Sequence, residues 1–237
     1  MIRNNLSGKK ILITAGPTIE AIDPQRYISN HSSGKLGYAL AEEFLQQGAE
    51  VYLISGPVCI SIGENPNLHF VHVKSASEMY MACCRVFESV DVALFTAEVA
   101  DFRPARVADR RIGNHELEFT IRMVRNVDIA EEFGKIKSPG QLSVGFVVEK
   151  EDEFAHAIKK LHRKNFDMVV LDSTKKQGQN DSHTISVFKN DLSRTDFPQK
   201  TMAQAAADLV FEVGSGLTHA AIAELEENVQ AYEMLYS

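Results

Sequence analysis

Lys10-Ile-Leu-Ile-Thr14, the stretch Leu36 to Gln47 and Val51-Tyr-Leu-Ile-Ser55 follow one another as apolar run, amphipathic stretch and apolar run, and that order decides the fold class. The two short runs are nearly all apolar, the pattern of strands buried on both faces. Between them Leu36, Ala39, Leu40 and Phe44 recur at helical spacing, and the stretch stops at Gly48. Working outward, Phe70-Val-His-Val-Lys74 reads as a third strand. Ser75-Ala-Ser-Glu78 behind it reads as a capping box that opens a helix to about Ser89. Val92-Ala-Leu-Phe-Thr96 is a fourth strand and Leu142-Ser-Val-Gly-Phe-Val-Val148 a fifth. A helix from about Glu151 to Arg163 then leads to a sixth, Met168-Val-Val-Leu171. Such alternation predicts an α/β chain with a parallel sheet covered on both faces.

Two regions break the rhythm. Asp101 to Val124 holds a charged segment and then Glu116-Leu-Glu-Phe-Thr-Ile-Arg-Met123, an alternating strand pattern. Thr184-Ile-Ser-Val-Phe188 reads as a late antiparallel strand near a sheet edge. Helical patterns follow at Thr201 to Val213 and about Thr218 to Leu235, with Gly214-Ser-Gly216 as the break between them. No repeat or low-complexity linker divides the chain. The expectation is one domain over 1–237, with a core of about 8–213 and a C-terminal helical extension of about 214–237.

The 237 residues suffice for a sizeable core, and 44% hydrophobic and 24% charged residues are ordinary for a globular chain. A net charge of −7 argues against a duplex nucleic-acid binder, which needs a basic footprint. It leaves a small anionic ligand open, because backbone donors hold phosphate on an acidic protein. Cys59, Cys83 and Cys84 are odd in number and two are adjacent, so free thiols, buried or half-buried in a reducing compartment, are expected rather than a disulfide framework. The N-terminus lacks an apolar signal region, and no run approaches the about 20 residues of a membrane span. The expected location is cytoplasmic, with no membrane partner.

In open parallel sheets ligands bind beyond the carboxyl ends of the strands. The loop after the first strand opens with Ala15-Gly-Pro-Thr18 and runs to Gly37, too long for a simple connection. Near its end Ser32-Ser-Gly-Lys-Leu-Gly37 opens the first helix, where free N–H groups can receive an anion; a glycine-rich turn that only caps the helix is the rival reading. A dinucleotide fingerprint is missing after the first strand, and Gly34-Lys35 is followed by Leu36 rather than the Ser or Thr of a P-loop.

Ile13-Thr-Ala-Gly-Pro-Thr18, Asp23-Pro-Gln-Arg-Tyr-Ile-Ser-Asn-His-Ser-Ser-Gly-Lys-Leu-Gly37 and Ser55-Gly-Pro-Val58 together resemble the signature of the phosphopantothenoylcysteine synthetase (phosphopantothenate–cysteine ligase) family. The similarity continues through Ala97-Glu-Val-Ala-Asp-Phe-Arg103, Arg122 to Ile129, Val144 to Glu149 and Arg163 to Asp167, spanning roughly residues 8 to 213. The resemblance implies a Rossmann-like three-layer α/β fold with a mostly parallel central sheet and a flap or strand extension. It implies a ligase of coenzyme A biosynthesis that joins 4′-phosphopantothenate and cysteine through an acyl-nucleotidylate formed from CTP or ATP, with Mg²⁺. It also implies a homodimer and a decarboxylase as a separate partner, because the chain begins at the ligase segment.

Residue by residue, the resemblance puts the triphosphate on Ser32, Ser33, Gly34, Lys35 and Gly37, and the activated acyl group on Asn30. Asp101, Asn126 and Asp128 match nucleotide-contacting positions, and Phe146 and Lys164 match positions near the base. Gly16, Arg26 and His31 fall among the substrate-binding positions. Rival readings are an Asx turn for Asn30, core packing for Phe146 and a first-turn acid for Asp128. Three positions depart from the family pattern. Glu98 replaces an alanine; a carboxylate there must be paired, metal-bound or turned away to sit beside phosphate. The flap's catalytic lysine position falls on or near Arg111, which keeps the charge with a different geometry. Val127 stands for proline. These departures motivate an alternative, a ligase-like protein that binds nucleotide or a pantetheine compound without turnover. A nicotinamide- or flavin-dependent oxidoreductase follows only from the parallel sheet.

Overall fold

The computed structural model describes residues 5–113, 118–147, 153–172, 175–177 and 180–218. The first half of the chain runs β1 (Lys10–Ala15), β2 (Ile19–Ala21), β3 (Tyr27–Ser29), α1 (Lys35–Gln46), β4 (Glu50–Ser55), β5 (Leu68–His72), α2 (Ala76–Cys84), β6 (Val92–Phe95) and β7 (Phe102–Pro104). The second half runs β8 (Met123–Arg125), α3 (Ile129–Ile136), β9 (Leu142–Val147), α4 (Glu153–Arg163), β10 (Met168–Asp172), β11 (Lys175–Gln177), β12 (Asn180–Lys189) and β13 (Arg194–Lys200), and residues 202–218 form a last helix.

The central sheet has the order β11-β12-β10-β9-β6-β1-β4-β5, with β13 also paired to β12. From β10 to β5 every pairing is parallel. β12 runs antiparallel to β10, and β11 and β13 antiparallel to β12. The strands read as all-apolar because alternate residues enter different cores. Ile11 and Ile13 of β1 pack with Leu40 and Phe44 of α1 and with Val210 and Val213 of the last helix, whereas Leu12 packs with Met79, Cys83 and Phe133. Val169 and Leu171 of β10 pack with Leu161 of α4 and with Phe166. Helices therefore cover both faces, the expected three-layer α/β arrangement, and β2–β3 and β7–β8 are small antiparallel pairs outside the main sheet.

The predicted strands and helices are present with shifted ends. The third strand lies at Leu68–His72, and Val73 N–H still donates to Ser55 O at 3.0 Å as the last ladder bond to β4. Ser75 caps α2 through Glu78 N–H, and the Glu78 carboxylate accepts from Lys74 N–H at 2.7 Å, in place of the Ser75 N–H that a capping box would use. The late strand at 184–188 is antiparallel, within β12. Two expectations are corrected. The alternating run 116–123 is no strand over its described part, 118–122; strand begins at Met123, where β7 supplies a partner. The Gly214-Ser-Gly216 break is absent, since the helix continues through it to 218. Burial of Val213 and Leu217 outweighs glycine's poor helix propensity. A Cβ on Gly216 would lie 2.5 Å from Met168 Cε, so glycine lets the helix close on the sheet. Residues 219–237 of the predicted extension lie outside the described residues. Cys59 and Cys84 are exposed and Cys83 is buried, all as free thiols; burial pushes the Cys83 thiol up. No helix among the described residues is long and apolar enough to cross a membrane.

Gly145 in β9 faces the buried Phe166 ring, and a Cβ there would lie 2.1 Å from Phe166 Cε2. Phe166 is wedged against Phe95 at 5.9 Å and has no room to yield. Gly145→Ala is expected to destabilise the protein by about 1–3 kcal/mol through overpacking, read as a lower urea midpoint with an unchanged slope.

Candidate active site

The chain leaves β1 toward β4 on one side of the sheet and later takes up β6 on the other, so the order switches between β1 and β6. A cleft of about 850 Å³ opens there, beyond the carboxyl ends of β1, β6 and β9.

Its floor is a seam between the loop after β1 and the loop after β6. Thr96 Oγ1 donates to Thr14 O at 2.6 Å, and Glu98 N–H donates to Gly16 O at 2.9 Å. Thr18 N–H donates back to Glu98 O at 3.3 Å, and Ala100 N–H donates to the buried Thr18 Oγ1 at 3.0 Å. The β2–β3 hairpin joins this seam through Ser29 Oγ, 2.8 Å from Thr18 O. Asn30 follows it and donates from Nδ2 to Val99 O at 3.3 Å, with its side chain exposed to the cleft. Asn126 extends the seam, donating from Nδ2 to Ala100 O (2.7 Å) and from its N–H to Asp101 O (2.8 Å).

On the far wall Asp128 is the N-cap of α3, accepting from Glu131 N–H at 3.2 Å, and also meets Lys164 Nζ at 2.8 Å. Burial would raise the Asp128 carboxyl, but Lys164, the Glu131 N–H and Arg163 outweigh it and hold it below the usual carboxylate range. The first-turn-acid reading of Asp128 and its site reading thus describe one carboxylate that caps a helix and fixes a cleft lysine. Phe146 stands on the same cleft. Half-buried, it packs against the core and lines the cleft, and its carbonyl accepts from Lys160 Nζ at 2.6 Å.

Asn30, Asp101, Asn126, Asp128, Phe146 and Lys164 thus share one cleft. Ser32, Ser33, Gly34, Lys35 and Gly37 lie at the start of α1 and do not line it. Gly34 is the N-cap with φ 73°, and a Cβ on it would lie 2.9 Å from Val58 Cγ1 and 3.4 Å from the Cα of Gly16, itself at φ 70°. A Cβ on Gly37 would lie 2.6 Å from Thr96 Oγ1, so the helix start is pressed against the β1–β6 seam. The Gly34 and Lys35 N–H groups donate to the Ser32 and Ser33 hydroxyls, at 3.3 and 3.4 Å. His31 and Arg111 are exposed and outside the cleft lining. Arg26 is paired with Asp23 and donates to Ile112 O at 2.7 Å. Glu98 is exposed on the cleft wall and forms no ion pair among the described residues, and Val127 packs beside α3. Lys160 and Thr14 line the cleft and Thr18 supports it from the seam; sequence reasoning missed all three. Lys160 was findable, since it stands one helical turn before Lys164, on the same face.

Asp128→Ala is expected to cost about 1 kcal/mol at neutral pH through loss of the cap. The Asp128 contribution is complete above the unfolded carboxylate value of about 3.9 and fades as pH falls through the lowered folded value. Urea titrations of both proteins at pH 7 and near pH 3 should therefore show a gap that narrows in acid.

Residues 6–216 match the family model described as the DNA/pantothenate metabolism flavoprotein C-terminal domain. The chain is 41% identical over 211 residues to a cysteine/cysteine sulfinic acid decarboxylase from an unknown prokaryotic organism, covering 88% of this chain and 58% of the relative. It is 39% identical over 214 residues to the coenzyme A biosynthesis bifunctional protein CoaBC of Bacillus subtilis, covering 89% and 52%. It therefore spans little more than half the length of the curated relatives it matches. Among solved structures, the C-terminal domain of a coenzyme A biosynthesis bifunctional protein CoaBC superposes with a TM-score of 0.77 at 36% identity, covering 91% of this chain and 99% of that one. A Streptococcus pneumoniae flavoprotein at 21% identity and TM-score 0.75 shares the fold. The chain belongs to the DNA/pantothenate metabolism flavoprotein C-terminal domain family.

Proposed function

We propose that the chain is a cytoplasmic ligase that joins 4′-phosphopantothenate to cysteine, with CTP or ATP as co-substrate. One observation carries this reading: Asn30, Asp101, Asn126, Asp128, Phe146 and Lys164 converge on one cleft at the sheet's switch point, in a chain 39% identical to a protein named for coenzyme A biosynthesis. The proposal extends to a homodimer and to a decarboxylase acting on the product, which retains the cysteine carboxylate.

A carboxylate is a poor acyl donor, so it is first activated. A carboxylate oxygen of 4′-phosphopantothenate attacks the α-phosphorus of the triphosphate and pyrophosphate leaves. The triphosphate lies between the start of α1 and the basic face of α4, with the base against Phe146. The Gly34 and Lys35 N–H groups exchange their long hydroxyl bonds for phosphate oxygen, and Lys160 and Lys164 take up negative charge with Arg111 from the flap. The cysteine amine then attacks the acyl carbon and loses a proton to solvent, and nucleoside monophosphate leaves as the amide forms. Asn30 Nδ2 donates to the acyl oxygen as charge develops on it. Gly16 and His31 would contact the substrate, while Arg26 is held by Asp23 and by Ile112 O. No group of three or more His, Cys, Asp or Glu side chains among the described residues is placed to hold a metal unaided. That fits Mg²⁺, which rides on substrate phosphates and takes one or two protein carboxylates. Asp101, exposed on the cleft, would hold it, and the bound ion would neutralise phosphate charge.

Supplied with 4′-phosphopantothenate, cysteine, Mg²⁺ and each triphosphate in turn, the protein is expected to release pyrophosphate with CTP or ATP. Folded protein that releases none with any triphosphate would sink the ligase reading. Tight nucleotide binding by calorimetry without release would then favour a binding protein, the reading that Glu98 and Arg111 motivate. Asn30→Ala is expected to slow amide formation by about 10²–10³-fold. Pyrophosphate should still appear in a single burst when cysteine is withheld, since the first step does not use that amide.

A further inference from the structure

The segment that carries Arg111 is held at Ile112 and Ala108, and both holds end on the β2–β3 hairpin. Asp23 lies in the hairpin turn with its side chain fully shielded from solvent. Its Oδ1 accepts from Gln25 N–H at 2.8 Å and Arg26 N–H at 2.9 Å. Its Oδ2 accepts from Arg26 Nε at 2.9 Å, Arg26 Nη2 at 2.6 Å and Ile112 N–H at 3.1 Å. Arg26 Nη2 also donates to Ile112 O, so the residue next to Arg111 has both main-chain groups held by one buried pair. Ala108 N–H donates to Ile22 O at 2.9 Å, and Arg26 lies 5.5 Å over the Phe119 ring on the far side of the segment.

A turn needs only the first of these bonds. The local Gln25 and Arg26 N–H groups close the hairpin as an Asx turn, which an exposed asparagine achieves as well. Burying a carboxylate is costly unless it is paired and its lone pairs are satisfied. The bonds from Arg26 Nη2 and Asp23 Oδ2 to Ile112 span 86 and 89 positions and do nothing for the turn. What they do is locate the flap. The hairpin is short, with Ile19 opposite Ser29 and Ala21 opposite Tyr27, and its other end delivers Asn30 to the cleft. Burial would raise the Asp23 carboxyl, but its donors outweigh that and hold it far below the usual carboxylate range, so it is charged wherever the protein is folded near neutrality.

We propose that Asp23 is a positioning residue for the ligase reaction: through Arg26 and the main chain of Ile112 it sets Arg111 of the flap relative to Asn30 of the cleft. The inference rests on the ligase reading above. The fork of Arg26, shared between Asp23 and Ile112 O, is the part that lysine cannot reproduce.

The test combines amide hydrogen exchange with kinetics on Asp23→Asn, Arg26→Lys, Arg111→Ala and the double variant of Asp23→Asn with Arg111→Ala. In Asp23→Asn the Ile112 and Ala108 amides are expected to lose protection while those of β1 and β6 keep theirs. Its kcat should fall about 100-fold, with the triphosphate KM within about threefold of wild type. The double variant should be no slower than Arg111→Ala alone, because Asp23 acts through that residue. Protection lost evenly across the sheet, or rate losses that multiply in the double variant, would overturn the proposal. Should Asp23→Asn not fold, Arg26→Lys carries the same readouts. Wild-type protein without pyrophosphate release would refute the ligase reading and the positioning role with it. Exchange at Ile112 and Ala108 would then still decide the tether, which unchanged exchange in the folded variants would overturn.

Discussion

The loops that leave β1 and β6 are bonded to each other, and the site hangs from that seam. Parallel neighbours normally diverge past their last ladder bond. Here Thr14–Thr96, Gly16–Glu98 and Thr18–Ala100 carry the pairing several residues further, using hydroxyls where backbone partners run out. A buried Thr18 oxygen without its partner would cost about 1–3 kcal/mol, so the seam is held as firmly as a core contact. Asn30 and Asn126 are then fixed by bonds to Val99 and Ala100, carbonyls of the same seam. Their amides are oriented by the scaffold before a ligand arrives, which electrostatic catalysis requires.

The small residues around the seam belong to the same constraint. Gly16, Gly34 and Gly37 let the start of α1 approach β1 and β6 more closely than any side chain allows. The helix start is therefore pressed against the β1–β6 seam, while α4 residues line the cleft. The Gly34 and Lys35 N–H groups donate to hydroxyls at 3.3 and 3.4 Å, long bonds that an anion could replace at little loss.

Much of this was legible in the sequence because it rests on local pattern. Apolar runs at 10–14, 51–55, 92–96 and 142–148 named the strands, and Ser32 to Gly37 named a helix start that presents backbone donors. The long-range pairings were not legible. Nothing near Thr18 announces that its hydroxyl serves Ala100, and nothing in Asp23-Pro-Gln-Arg26 announces that the pair holds Ile112. The errors share this origin. The alternation at 118–122 lacked a partner strand, and the glycines at 214 and 216 were judged by propensity while burial of Leu217 decided the outcome. Residues of the sequence motif divide into a cleft-lining group and a group outside it, and that division needed the fold.

Under the ligase proposal that division bears on how an acidic chain would serve a polyanion. The net charge is −7, and two of the cations near the site are held by individual carboxylates: Lys164 by Asp128, and Arg26 by Asp23. The two pairs differ in what an arriving phosphate can do to them. The Asp128 carboxylate is about two-fifths exposed, so solvent screens it and Lys164 can turn part of its donor set to a ligand at little cost. Asp23 is fully shielded, and separating Arg26 from it would leave a buried carboxylate held by main-chain N–H donors alone. Under the ligase proposal, phosphate competes for Lys164 with a screened carboxylate and for Arg26 with a shielded one. The burial of the carboxylate, not of the cation, sets the two pairs apart, since the Arg26 side chain is itself more exposed than that of Lys164, 38% against 12%.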